Sequence, residues 1–190
     1  FKTLPVEILF NPPNPISQRI VINRGSDDGL KLGNPIANDS GILGQVVRIY
    51  DRSAEVSLLE DRDFAVPVQV ARNGLRAAVF GAGRGNPLEL RYLPVASDLE
   101  VGDVLITSGI DGVYPPGFAV AVISRIERNA DKNSSNVFCV PVAPVNRYRQ
   151  ALALLYDPQW DAKASTATSK PGAPLTNTPG RRQTRARGMQ

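Results

Sequence analysis

Short runs of strand-forming residues, each closed by a turn signal, fill this chain from Val6 to Tyr156. That punctuation constrains the fold more than any other feature. Runs this brief are too short for stable helices and have the length of strands in a barrel or sandwich. They fall at Val6–Phe10, Arg19–Asn23, Asn34–Ala37, Ile42–Tyr50, Ala54–Leu59, Phe64–Val70, Leu75–Phe80, Leu88–Leu93, Val104–Thr107, Phe118–Ile126, Val137–Val142 and Gln150–Tyr156. Asp39-Ser40-Gly41, Asp51-Arg52-Ser53 and Asn73-Gly74 supply the residues that hairpin turns need. The residues of Gln150–Tyr156 favour helix in isolation, but the run is only about two turns long and follows a β segment, so it reads as a strand. Pro67 and Pro141 cannot donate to a ladder, which predicts an edge or a bulge at each. Asn129–Asn136 reads as a polar loop.

Two stretches echo one another: Asp28-Gly29-Leu30-Lys31-Leu32-Gly33-Asn34-Pro35-Ile36-Ala37, and Asp111-Gly112-Val113-Tyr114-Pro115-Pro116-Gly117-Phe118-Ala119-Val120-Ala121. Each sets Asp-Gly, an aliphatic residue and a second glycine before a strand, so two copies of one β module are expected. The Gly-rich segment Gly81–Pro87 divides the twelve strands. Six strands before it close one small barrel. The five after it lack one, which Val6–Phe10 supplies across the stiff Asn11-Pro12-Pro13-Asn14-Pro15. The predicted fold is therefore all-β: two six-stranded barrels, one inserted in the other. Residues 16–84 form the first, 1–15 plus 85–157 the second, and 158–190 a disordered tail. The tail carries Pro, Ser, Thr, Ala, Lys and Arg with few large apolar residues, too little to offset its ordering entropy.

Charge follows the same division. Six Lys or Arg and one acid between Asp161 and Gln190 give +5 of the total +4, leaving residues 1–160 at −1. A near-neutral body argues against a nucleic-acid-binding face. The tail arginines lack aromatic neighbours, so they imply non-specific attraction at most.

Chemistry is scarce. With no histidine and the single Cys139, the chain lacks the usual neutral-pH base and cannot form an intrachain disulfide or a cysteine metal cluster. No cofactor or metal is expected. Ser40, Ser53 and Ser108 sit among turn residues, and Lys2, Lys31 and Lys132, the only lysines outside the tail, are distant in sequence. Turn roles are favoured over a Ser–Lys dyad. Glu60, Asp61 and Asp63 read as a solvated turn rather than a glycosidase pair. Asp27-Asp28-Gly29 lacks the remaining ligands of a calcium loop. The Gly81–Gly85 run has no following helix to make a phosphate cradle. Cys139 reads as a small strand residue. Tyr114-Pro115-Pro116-Gly117-Phe118 sets an aromatic on each side of a rigid turn. Tyr114, Pro115, Pro116 and Phe118 are the candidate partner or self-contact residues, and the alternative is that the two rings plug a barrel end.

Several motifs in order resemble one family. Asn23-Arg24-Gly25-Ser26-Asp27-Asp28-Gly29-Leu30, Gly33-Asn34-Pro35-Ile36, Gly41-Ile42-Leu43-Gly44-Gln45-Val46 and Val56-Ser57-Leu58-Leu59-Glu60-Asp61 resemble the core of MreC, the bacterial rod shape-determining family. Leu93-Pro94, Gly102-Asp103-Val104-Leu105-Ile106-Thr107-Ser108-Gly109 and Tyr114-Pro115-Pro116-Gly117-Phe118 extend the resemblance over about Leu4 to Tyr156. Phe118-Ala119-Val120-Ala121 departs from it, since many relatives keep a glycine there. The resemblance implies a periplasmic pair of β-barrels tethered to the inner membrane by an N-terminal segment, and the opening Phe1 fits a fragment lacking that segment. It implies a non-catalytic scaffold of the cell-elongation machinery that maintains rod shape. Its expected partners are the elongation penicillin-binding protein, MreB, MreD and RodA, with self-association into a homodimer or higher assembly. The competing reading is a degenerate trypsin-like or wall-hydrolase enzyme of the envelope.

Overall fold

In a computed structural model, the described residues are 1–10, 14, 17–94, 96–129, 134–144 and 149–156. The strands are β1 (Lys2–Phe10), β2 (Arg19–Ile22), β3 (Pro35–Ala37), β4 (Ile42–Ile49), β5 (Ala54–Leu58), β6 (Ala65–Val70), β7 (Arg76–Phe80), β8 (Leu88–Arg91), β9 (Val104–Thr107), β10 (Ala119–Asn129), β11 (Ser134–Pro141) and β12 (Gln150–Leu155). Every expected strand is present. β11 begins earlier than expected, so Ser134–Asn136 belong to a strand and not to the polar loop. The tail expectation lies outside the described residues.

The strands close two antiparallel barrels, in the orders β1-β12-β3-β4-β5-β2 and β10-β11-β8-β7-β6-β9. One barrel is inserted in the other, but the allocation of strands differs from the expected 16–84 and 1–15 plus 85–157. The continuous barrel is β6–β11, and it interrupts a barrel made of β1–β5 and β12. The reason lies in pairing: β12 bonds to both β1 (Leu4↔Ala153) and β3 (Leu152↔Ala37), filling the gap between them. The chain changes barrel between Leu58 and Ala65. Gly81–Pro87 is the β7–β8 connection inside the second barrel, and the proline-rich segment after Phe10 joins two strands that pair (Ile8↔Ile22). Closure also removes the expected edges. Pro67 instead lies just past the end of the β6–β9 ladder, where its carbonyl accepts from Ser108 N–H at 3.2 Å. Pro141 ends β11.

The barrels are versions of one unit. Reading β12 before β1 maps β12, β1, β2, β3, β4, β5 onto β6, β7, β8, β9, β10, β11, and all six pairings then coincide. The expected echo holds in part, since Gly29 and Gly112 both take positive φ, 83° and 67°. The hydrogen-bonded counterpart of Leu30–Asn34 is, however, Leu99–Asp103. The Gly33 amide donates to the Val46 carbonyl at 2.9 Å and Gly102 to Ile123 at 2.8 Å. Lys31 N–H donates to Asn34 Oδ1 at 2.8 Å, and Glu100 N–H to Asp103 Oδ2 at 2.9 Å. Gly33 and Gly102 sit at φ 87° and 96°, a region costly for any residue with a Cβ.

Each barrel has its own apolar centre. Ile20, Ile22, Ile36, Val46 and Val56 fill the first, and Val66, Val68, Leu88, Leu105 and Ile123 the second. Ala37, Ile42 and Leu154 of the first barrel join the second cluster, so the cores meet. Gly41 marks a close approach between them: a Cβ there would lie 2.2 Å from the Ala119 carbonyl oxygen. Asp61 stands at the crossover. It is buried, contrary to the solvated turn expected, and its carboxylate accepts from the amides of Gln18 and Asp63 at 3.0 Å each.

Candidate functional site

The residues with chemical potential are put to structural use. The Ser108 hydroxyl accepts the Ile110 amide at 3.5 Å, and Ser40 lies beside Asp39. Among the described residues no serine hydroxyl bonds to a lysine, and Lys2 and Lys31 are exposed. Lys132 lies outside the described residues. Cys139 is buried, and desolvation pushes its thiol up to about 12, so it stays protonated at neutral pH and is a poor nucleophile.

The Tyr114–Phe118 turn is held from within the second barrel. Asp111 Oδ1 accepts the amides of Val113 and Tyr114. The Thr107 hydroxyl donates to the Pro115 carbonyl at 2.6 Å and accepts from the Phe118 amide at 2.9 Å. Tyr114 is only 2% exposed, and Pro115 is buried with it. Desolvation, with the nearby Asp111 charge, raises the Tyr114 phenol far above its ordinary value. Its hydroxyl has no hydrogen-bond partner, which fits a ring placed for packing. Pro116 is exposed and Phe118 half-buried. Phe118 packs on Phe1 at 5.9 Å between ring centroids, and Phe1 on Tyr156 at 6.1 Å. The three rings form an aromatic clasp between the barrels.

Two surfaces of the second barrel escaped the sequence reading. The first is an outward row of valines across neighbouring strands: Val104 pairs with Val122, and Val122 with Val140. Val104 and Val140 are 38% and 47% exposed where an outer barrel face would ordinarily carry polar residues. The second is an open groove of about 850 Å³ at one barrel end, lined by Leu90, Tyr92, Leu93, Ile126, Arg128 and Val137 among others. Tyr92 is 78% exposed, with its ring edge-on to Phe80 at 5.7 Å, and the Arg91 guanidinium lies over Phe80. Tyr92 (φ 61°) and Ala96 (φ 59°) are the positive-φ residues other than glycine among those described, and both belong to the loop that forms this groove. Such conformations cost about 1–3 kcal/mol each and cluster where function requires them. No turn dipeptide announced them, because Tyr and Ala do not signal a left-handed backbone.

Comparison with known proteins places this double barrel. The model of the rod shape-determining protein MreC, barrel core, matches residues 8–154. The chain belongs to the MreC family. The cell shape-determining protein MreC of Escherichia coli is 36% identical over 148 residues, covering 78% of this chain and 40% of that protein. The chain thus spans about two fifths of the length of that protein and of the MreC of Haemophilus influenzae, to which it is 35% identical. The crystal structure of MreC from Pseudomonas aeruginosa superposes with a TM-score of 0.77 at 39% identity, covering 82% of this chain and all of that one. MreC in a complex with penicillin-binding protein PBP2 from Helicobacter pylori shares the fold, with a TM-score of 0.63 at 15% identity over 80% of this chain and 96% of that chain.

Proposed function

We propose that this chain is the periplasmic barrel pair of a membrane-tethered MreC, and that it acts as a non-catalytic scaffold of the cell-elongation machinery. The observation that carries the reading is the family match over residues 8–154, which takes in both barrels. A scaffold works by mass action and geometry. Two barrels packed core to core present fixed surfaces, weak contacts add through multivalency, and a partner is biased toward the conformation that fits.

The elongation penicillin-binding protein is the partner that the Helicobacter pylori complex supports. MreB, MreD and RodA are further partners, engaged by the whole protein. Self-association into a dimer or higher assembly multiplies each contact. Within the turn, Pro116 and Phe118 provide the contact while Tyr114 and Pro115 hold it from below. An N-terminal segment outside this chain tethers the barrels to the inner membrane.

The test is retention of the periplasmic domain of the cell's own elongation penicillin-binding protein on the immobilised chain, with casein and peptidoglycan incubated alongside. Saturable retention without turnover of either substrate is expected. Cleavage that disappears in Ser108→Ala would establish the enzyme reading instead.

A further inference from the structure

We propose that the groove of the second barrel takes an extended segment of a partner protein, with apolar and acidic residues two positions apart on one face, laid along the free edge of β11. The inference rests on the scaffold reading only in supposing that the occupant is a protein.

The backbone points to a strand. β11 pairs with β8 through Val137↔Leu90, Phe138↔Glu89 and Cys139↔Leu88, and there the ladder ends. On the other side of β11 the pairing with β10 continues outward through Glu127↔Asn136 and Arg128↔Ser135. Ser135 and Asn136 are therefore strand residues paired on one side only, and both line the groove. An unpaired strand edge is a template for another strand.

β8 does not follow β11 because the chain turns away at Tyr92, whose positive φ belongs to a conformation that a bulky residue rarely adopts. The far end of the same loop is tied down: Arg72 Nη1 donates to Asp98 Oδ2 at 2.8 Å, and Asn73 Nδ2 donates to the Asp98 carbonyl at 2.8 Å. The loop is thus held off the β11 edge at both ends, and the space between them is the groove.

Side chains fix the chemistry of the occupant. Strand periodicity puts Ile126 and Arg128 of β10, with Val137 and Ser135 of β11, on one face. That face gives an apolar floor from Ile126 and Val137 and a cation beyond it. Glu89 is neutralised by Arg91, whereas Arg128 has no ion pair among the described residues and is exposed on the rim. An extended segment that carries a valine-like residue and, two positions on, an acidic one presents both on that face, the first to the floor and the second to Arg128.

The probe is a fluorescein-labelled decapeptide in which valine and glutamate alternate at every second position with threonine between them, titrated into the whole chain by anisotropy, with amide hydrogen exchange followed residue by residue. Saturable binding is expected, with slowed exchange at whichever of Ser135 and Asn136 turns its amide away from β10. Arg128→Glu, or lysine in place of the peptide's glutamates, weakens binding about tenfold or more, and Arg128→Lys retains it. Tyr92→Asn, which keeps the backbone conformation but removes the ring, weakens it several-fold. Methylating the alternate set of peptide nitrogens that faces β11 abolishes binding, and methylating the other set does not. The assignment is overturned if no binding saturates by roughly millimolar peptide, if Arg128→Glu or N-methylation of the set facing β11 leaves binding unchanged, or if protection falls elsewhere. It is also overturned if groove variants change only the oligomeric state in sedimentation, which would give the groove to a second copy. A chain that retains the penicillin-binding protein yet ignores the peptide loses the groove assignment and keeps the scaffold reading.

Discussion

The first barrel cannot close until β12 arrives, after the whole second barrel has been traversed, whereas the second closes on β6–β11 without a break. Both use the same cyclic order and the same leucine-to-Asn/Asp turn, yet among the described residues only the second turn carries an ion pair. Asn34 of the first is neutral. Asp103 of the second is gripped by Arg72, whose Nε and Nη2 donate to its two carboxylate oxygens at 2.9 and 3.0 Å. The comparison teaches that cyclic pairing, and not chain order, defines the unit. It also predicts that the second barrel, with its shorter loop closures, folds first.

Stopping the chain after Ala143 is the most severe way to break this comparison. Without β12 the first barrel has a gap between β1 and β3, so slow amide exchange should survive only within residues 65–141. Loss of protection in both barrels together would show that the second is not self-sufficient. Gly41→Ala comes next. Its Cβ would meet the Ala119 carbonyl at 2.2 Å, so the variant should lose about 2 kcal/mol or more and unfold in two separated denaturant transitions. A single unshifted transition would mean that the barrels are not coupled through this contact.

Asp61→Ala leaves the Gln18 and Asp63 amides without their carboxylate and should cost about 1–3 kcal/mol in urea unfolding. The smallest effect sharpens the contrast between the two turns. Hydrogen bonds from Arg72 hold Asp103 below the usual carboxylate range. A lowered folded-state pKa gives stability that is complete above the unfolded value, near 4, and is lost as pH falls through the lowered one. Asp103→Asn should therefore cost about 1 kcal/mol at pH 7 and less at pH 2. Asn34→Gln, with no ion pair at stake, should show no such acid-dependent difference.

How far the sequence carried this account depends on the range of the interaction. Strands were legible because their signals are local: short runs between turn residues located most of them, and shortness together with a preceding β segment located even β12, whose residues prefer helix. Its partners were not legible, since whether Leu152 faces Ala37 or a strand of the other barrel depends on contacts far apart in sequence. Gly81–Pro87 resembles a linker as closely as it resembles the hairpin it proves to be. Among the contact residues, the rigidity of the Tyr114–Phe118 turn could be read, but the burial of Tyr114 could not. The groove had no sequence signature, because it arises where β8 and β11 separate.

The molecule is a pair of self-closing barrels, and the second needs no strand from the first. Expressing residues 62–144 alone and recording its amide NMR spectrum tests this most directly. A dispersed β spectrum with slow exchange in β6–β11 is predicted. A collapsed spectrum, recovered only when β1–β5 and β12 are restored, would contradict it.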